Sequence, residues 1–418
     1  MDPVLIVLCA GRSEYREPML ARIAARYPLV LVSPDPPTWE LPYVRDHVVV
    51  DQSDTAGYIA AAVAFADRYP VAGVFTYYEW CVEMAAVVGE TLGVPHCAPA
   101  AAMRCRDKWE TRTALRAAGV PSALSVLVDD VREASDAARA IGYPVVVKPR
   151  SLSASFGVSL VTGPDHLAAA FDRAGTSESN GPWEFRPGVL VEECLTGDEV
   201  SVDSAVAGGR VETAVYALKV LGYAPHFEEL GHIVAAPELI VDDPALVHDI
   251  VAAAHHALGV DNAVTHTELR LTPGGPRIVE VNGRSGGDYI SELGLLATGV
   301  DVGVATGDIA AGRPVTLDAG RPVTPGAARN RVAGVRFLYA EDAGTVDACE
   351  IDAAVAGAPW LERVVWLVKP GDHMSPTPGR RYFARAGFAV VTADSVAECA
   401  ARMETVAAHT MIRTAVYA

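Results

Sequence analysis

Glu268 and Glu280 stand on either side of Thr272-Pro273-Gly274-Gly275-Pro276, within the stretch VTHTELRLTPGGPRIVEVNGRSGGD from Val264 to Asp288. The flanking runs, Val264 to Leu271 and Arg277 to Asn282, alternate in polarity, and the Pro and Gly residues between them signal a turn. The stretch therefore reads as a β-hairpin. If the ladder is symmetric about Gly274, Glu268 faces Glu280 and His266 faces Asn282, and the period of two puts all four on one face. Thr267, Leu269, Leu271, Val279 and Val281 take the other face, toward a core. Like charges directly across a ladder repel, so the glutamate pair calls for a shared proton or a cation. Carboxylate and amide oxygens suit a hard divalent ion, and Mg²⁺ accepts one or two carboxylates completed by substrate phosphates. The competing reading is an ordinary hairpin with a solvated polar face.

The elements that would bring a phosphate to this hairpin lie upstream. Tyr143 to Lys148 (YPVVVK) is β-branched and reads as a buried strand ending in a lysine beside Pro149. Such a lysine either snorkels to the surface or meets an anion. The next residues, Ser151 to Val158 (SLSASFGV), could offer backbone and hydroxyl donors to phosphate oxygens, with Ser153, Ser155 and Gly157 foremost, before a second strand at Val158 to Val161. This is not a Walker A loop, because GxxxxGK[ST] is missing. Residues 175–188 read as an exposed loop. Val189 to Glu192 and Val200 to Val206 read as strands around a Glu-rich bend able to face a purine base. Tyr216 to Pro237 shows little periodicity and holds Lys219, His226, Glu228, Glu229 and His232. It reads as a functional lid or a surface loop. The helix Asp243 to Leu258 would carry His248, His255 and His256 on its surface.

Ahead of these, Val4 to Cys9, Leu29 to Ser33, Val48 to Val50 and Val71 to Thr76 are strand-like runs alternating with helical ones, which implies a parallel α/β sheet. Gly11 could serve a phosphate-binding turn, but GxGxxG is absent. Tyr78 and Glu79 follow the last of these strands, where open α/β sheets place ligands; a helix N-terminal acid is the alternative for Glu79. The segment RCRDKWETRTALRAAGVPS reads as one helix with Lys108 early in it.

At 418 residues the chain should divide into two or three domains. Its 34 basic against 52 acidic residues, with no basic cluster, argue against nucleic acid or an anionic membrane as the main partner. Seven cysteines without CxxC or metal-ligand spacing argue against a zinc site or a disulfide framework. The apolar run 4–9 is too short to span a membrane and no cleavage pattern follows it, so a cytoplasmic location is expected.

The order of features is specific: Asp107-Lys108, VVVKP with Lys148, a small-residue loop, VEECLTGDE, then a hairpin ending EVNGR. It resembles the ATP-grasp superfamily, and within it the carboxylate–amine ligases that join amino acids into dipeptides. The resemblance implies an α/β (α+β ATP-grasp) fold with a Rossmann-like domain over 1–100, an ATP-grasp catalytic domain over 101–310, and a C-terminal α/β extension over 311–418 lining the substrate cleft. It makes Lys108 and Lys148 nucleotide phosphate ligands, sets the adenine against Glu192, Glu193 and Leu195, and gives the ribose to Glu199. Glu268, Glu280 and Asn282 would hold Mg²⁺, usually two ions, or Mn²⁺ in its place. Arg284 would face the reacting carboxylate and phosphate. Glu79, Glu229 and His232 are the candidates for an amino-acid substrate pocket. Two departures stand out: Gly157 is the single glycine of the phosphate loop, and Gly283 stands where relatives often have Pro.

The chemistry implied is ATP-dependent amide formation through an acyl phosphate, on small acid and amine substrates, by a protein that could form a homodimer. Two rivals remain. One is a carboxylase of the biotin or purine type acting on bicarbonate, although Ser285-Gly286-Gly287-Asp288 follows the arginine and no Met-Lys-Met biotin acceptor exists. The other is a non-catalytic ATP-binding regulator. In the C-terminal part, Val332 to Tyr339 and Val364 to Val368 read as strands and Ser395 to Ala407 as a helix.

Overall fold

Four short hydrophobic strands near the N-terminus, β1 (Val4–Leu8), β2 (Leu29–Ser33), β3 (Val44–Val49) and β4 (Val71–Phe75), pair in parallel in the order β3-β2-β1-β4. β1 and β2 are buried along their whole length, as strands covered on both faces must be. The structure is a computed structural model that describes residues 2–177, 186–315, 317 and 332–415. Residues 178–185 of the loop expected at 175–188 lie outside the described residues.

A second four-stranded sheet holds β5 (Ser125–Val128), β6 (Val145–Pro149), β7 (Ser159–Val161) and β8 (Val189–Glu193) in the order β5-β8-β6-β7. β6 and β7 are the antiparallel arms of the expected lysine-and-loop hairpin, with Val145 opposite Val161. Next come β9 (Glu199–Ala207), β10 (Arg210–Gly222), β11 (Glu228–Ala235), β12 (Asn262–Thr272), β13 (Gly275–Asn282) and β14 (Val332–Tyr339). The C-terminal strands are β15 (Gly344–Ile351), β16 (Leu361–Trp366), β17 (His373–Met374), β18 (Arg385–Ala393) and β19 (Thr410–Ala415). Eight of these form one large sheet, β13-β12-β9-β10-β11-β14-β18-β16, which draws strands from both sides of residue 310; β17-β15-β19 form a small one. The chain is thus mixed α/β.

The register of β12 and β13 is the one the alternation demanded at the chemical end: His266 pairs with Asn282, Thr267 with Val281 and Glu268 with Glu280. Beyond it the ladder slips. Leu269 pairs with Ile278 and Thr272 with Gly275, so a bulge follows Glu268 and the turn is tighter than symmetry about Gly274 requires. The extra residue is Val279. A bulge turns one side chain over, so Ile278 joins Leu269 and Val281 in the core while Val279, expected there, lines the cavity.

Three other expectations change. Residues 216–237 are neither a lid nor a surface loop: β10 and β11 pair antiparallel in the middle of the large sheet, with Lys219 opposite His232. Their charged residues masked the alternation because they point into a buried polar cluster. The segment around Lys108 is two helices, Pro99–Arg106 and Lys108–Ala117, separated by Asp107, whose carboxylate caps the second by accepting from the Trp109 and Glu110 N–H groups. His255 is fully buried, bonded to the Val251 carbonyl and the Thr265 hydroxyl. Among the described residues no single helix is long and apolar enough to cross a membrane. The bent pair Ile290–Thr298 and Val302–Ala310 packs in the core through Leu293, Ala297 and Ile309.

Candidate active site

The three larger sheets meet around a cavity of about 510 Å³. Its lining takes in Glu79, Lys108, Lys148, Ser153, Ser155, Glu192, Glu193, Leu195, Glu199, Glu229, His232, Glu268, Glu280, Asn282 and Arg284. Gly157 alone of the candidate residues is not on the wall. It is buried at φ +74°, following Ala154 and Ser155 at φ 55° and 57°, and a Cβ there would sit 2.5 Å from the Ser177 hydroxyl and 2.8 Å from Pro149. Its contribution is the loop's backbone path rather than contact.

Local structure explains how each lysine arrives. Lys108 opens its helix because Asp107 caps it, and its ammonium donates to the Leu152 carbonyl and lies 3.1 Å from Glu280. Lys148 ends β6 and lies 2.6 Å from Glu192. Burial, and the nearby Arg112 and Lys108, hold the Lys148 ammonium below its ordinary range although Glu192 opposes them. Arg112 grips Glu192 at 2.9 and 3.0 Å and also donates to the Val279 carbonyl of the bulge. The Glu192 side chain is therefore committed to these cations, and Glu193 is committed to Arg277 by two bonds of 2.7 Å. Any purine contact from this strand falls to the backbone and to Leu195. Glu199 is likewise held, by Lys219 at 2.8 Å and Arg270 at 2.6 Å.

Lys219 was within the sequence stretch noted above but had no role there. Its ammonium lies 2.8 Å from Glu199, 3.0 Å from Glu268 and 3.1 Å from Glu229 with 3% of the side chain exposed. Burial alone would lower it, but the three carboxylates hold it charged, well above the usual lysine range. The Glu268–Glu280 pair thus already meets an ammonium on each side, and Asn282 is buried beside it. Two carboxylates and an amide oxygen are donors of the kind a hard divalent cation takes. Behind this donor set, Asp203 accepts from the Gly286 N–H and contacts His266 at 2.6 Å, which fixes the loop that follows Arg284.

Glu79 has a different neighbourhood from the one expected of an ammonium ligand. Its carboxylate is 2.6 Å from Arg106 and 2.6 Å from Arg284, so it positions Arg284. The Arg284 guanidinium also donates to the Ser285 carbonyl at 2.8 Å. Glu229 and His232 do come together, with Asp288 and Arg385, which sequence reading missed. His232 is 3.6 Å from Asp288 and 4.0 Å from Glu229, and Arg385 clasps Asp288 at 2.6 and 3.1 Å. Burial and Asp288 raise Glu229 despite Lys219, while Arg385 overrides burial to hold Asp288 well below the carboxylate range. Among the described residues neither ring nitrogen of the buried His232 has a hydrogen-bond partner. Tyr382 and Phe383 bring the C-terminal part to the cavity, and Phe383 stacks on Phe156 of the phosphate loop at 5.0 Å.

Two of these carboxylates make stability depend on acid. Burial alone would raise Glu79 and Glu192, but Arg284 and Arg106 at the first, and Arg112 and Lys148 at the second, hold each down to about 2. A depressed carboxylate stabilises the fold fully above its unfolded value of about 4.3, and that stabilisation drains away as pH falls toward 2. Urea midpoints should therefore fall steeply from pH 5 to pH 2.5, and Glu192→Gln should flatten the slope. An unchanged slope in that variant would remove Glu192 from this account.

A lysine-bearing hairpin sheet set against a larger sheet with a paired-glutamate hairpin is the arrangement of the ATP-grasp class, and the chain has that fold. An ATP-grasp domain family model matches residues 141–292, and a model of the L-amino acid ligase C-terminal domain 2 matches residues 336–415. The C-terminal part is thus similar to that of L-amino acid ligases. Carnosine synthase 1 of Mus musculus is 30% identical over 57% of this chain and 31% of its own length. Alanine–anticapsin ligase of Bacillus amyloliquefaciens is 29% identical over 50% of this chain and 47% of its own. The chain spans a third to a half of the length of these two curated relatives. The fold matches an L-amino acid ligase of Bacillus licheniformis with TM-score 0.82 at 21% identity, over 99% of both chains.

Proposed function

We propose that the protein is an ADP-forming carboxylate–amine ligase that joins amino-acid-like substrates through an acyl phosphate. The observation that carries this reading is the sharing of one cavity by Lys108, Lys148, the Glu268–Glu280 pair and Arg284, with the Glu229–His232–Asp288 cluster on the same wall. A carboxylate is a poor electrophile, and transfer of the γ-phosphoryl of ATP to one of its oxygens supplies a leaving group. Catalysis then rests on positioning and charge neutralisation. Lys108 and Lys148 turn from their carboxylate partners to phosphate oxygens. Magnesium, or manganese, held as one or two ions by Glu268, Glu280 and Asn282, neutralises phosphate charge when bound. Arg284, held by Glu79, stabilises the phosphoryl group in transfer and then the oxyanion formed when the amine attacks. His232, whose ring nitrogens have no hydrogen-bond partner among the described residues, takes the amine's proton, and Glu229 and Asp288 meet the ammonium before it is lost.

In this reading residues 1–100, 101–310 and 311–418 act as an N-terminal substrate-facing domain, the catalytic domain and a cleft-lining extension. The match of the C-terminal part to the amino-acid ligase domain favours amine acceptors over bicarbonate. Mixing the protein with Mg-ATP and pairs of amino acids, while measuring ADP, phosphate and product mass, tests the proposal. ADP formed only with particular pairs, together with a condensed mass, is the expected result. ADP formed with bicarbonate, or no turnover with any pair despite ATP binding, would overturn it.

A further inference from the structure

The N-terminal sheet presents a cation to the cavity that the reading above does not use. Arg16 lies in the first turn of the helix Ser13–Ala24, just past β1, and Tyr77 lies just past the neighbouring β4. Both therefore sit at the carboxyl ends of adjacent parallel strands, where open sheets bind ligands. The Arg16 guanidinium donates to two backbone carbonyls, of Gly286 at 3.2 Å and Tyr77 at 3.4 Å, and rests 5.3 Å over the Tyr77 ring. Among the described residues it makes no ion pair with a carboxylate. Both residues line the cavity with Arg284, while the Tyr77 hydroxyl is closed off within the protein and has no hydrogen-bond partner among the described residues.

The local charge count points the same way. Among the described residues Glu79 pairs with Arg106 and Arg284, whereas Arg16 feels Asp203 and Asp288 without forming an ion pair with either. Burial, reinforced by Arg284, brings Arg16 down to about 10, so it remains charged at neutral pH. A cavity-lining guanidinium that forms no ion pair among the described residues presents a fork that suits a carboxylate.

We propose that the Arg16 guanidinium, braced by the Tyr77 ring and carbonyl, forms an anion subsite that holds a carboxylate of the acid substrate next to Arg284. The N-terminal sheet then selects the acid, while the large sheet activates it. This rests on the ligase reading for its substrate, and its chemistry requires only an acid or acyl phosphate in the cavity. A merely structural role, pinning Gly286 and so Arg284, is distinguishable because it would lower kcat rather than weaken the acid.

The test compares wild type, Arg16→Gln, Arg16→Lys and Tyr77→Phe. With an amino-acid pair that gives ADP, Arg16→Gln should raise KM for the acid at least tenfold, exceed its effect on kcat, and leave KM for ATP within twofold. Tyr77→Phe, which keeps the ring and carbonyl under the guanidinium, should leave the same KM within twofold, and Arg16→Lys should fall between wild type and Arg16→Gln. Independently of any turnover, acetyl phosphate with Mg-ADP is titrated calorimetrically into the same proteins. Binding by wild type that Arg16→Gln weakens at least tenfold supports the subsite even where amide formation fails, which separates this inference from the ligase reading. An unchanged acid KM, a loss confined to kcat, or acetyl phosphate that wild type and Arg16→Gln bind equally or not at all would overturn it.

Discussion

Arg284→Ala is expected to lose at least about a hundredfold in kcat while its affinity for Mg-ATP stays at the wild-type level. The side chain is anchored through Glu79 and the Ser285 carbonyl, so its guanidinium is set before substrate arrives. Preorganised donors of this kind are worth on the order of 2.7 to 4 kcal/mol in the barrier, and each 1.36 kcal/mol is about tenfold in rate. Glu79 keeps Arg106 at 2.6 Å when Arg284 is cut back, so the variant should not be left with an unpaired buried charge. Single-turnover ADP formation together with calorimetric ATP binding separates the two parameters. Turnover within a few fold of wild type would take Arg284 out of the mechanism.

Lys219→Met should destabilise the protein by about 3 to 5 kcal/mol, the range for removing one partner of a buried ionic cluster. Glu199, Glu229 and Glu268 would lose the ammonium that lies within 3.1 Å of each. Arg270 still meets Glu199, and Arg385 lies 3.5 Å from Glu229, which keeps the loss inside that range. Among the described residues Glu268 retains only His266 at 3.5 Å. Added Mg²⁺ should therefore raise the melting temperature of the variant by more than it raises that of wild type. Equal melting temperatures without the ion would show that the carboxylates do not depend on Lys219.

How much of this could be read beforehand depended on whether a residue's role is local. The Glu268–Glu280 pairing was legible because strand period and turn residues determine it between them. The bulge was not, since Ile278 and Val279 are both β-branched and either could face the core. β10 and β11 were misread because Lys219 and His232 break the apolar alternation, yet they face a buried network rather than water. The helix break at Asp107 had a usable signature: an acid cap with Glu110 three residues on, as at Asp130 and Glu133. Glu79 lines the cavity, but its contacts with Arg106 and Arg284 could not be read beforehand because they depend on packing across three elements. Arg16, Asp288 and Arg385 carry no local pattern at all.

The self-pairing of the site has a thermodynamic corollary. Lys108 rests on Glu280, Lys219 on Glu268 and Lys148 on Glu192. If Lys108 and Lys148 left for phosphate oxygens without a replacement counter-charge, Glu268 and Glu280 would face each other less well screened. If the glutamates gave up their ammonium partners without phosphate present, those ammoniums would be stranded in a confined space. Nucleotide and divalent ion should therefore act as mutual effectors, each tightening the other's binding by the same factor, as linkage requires. Neither alone should titrate strongly, and exchange of partners should make the combined affinity less sensitive to salt than the number of charges suggests.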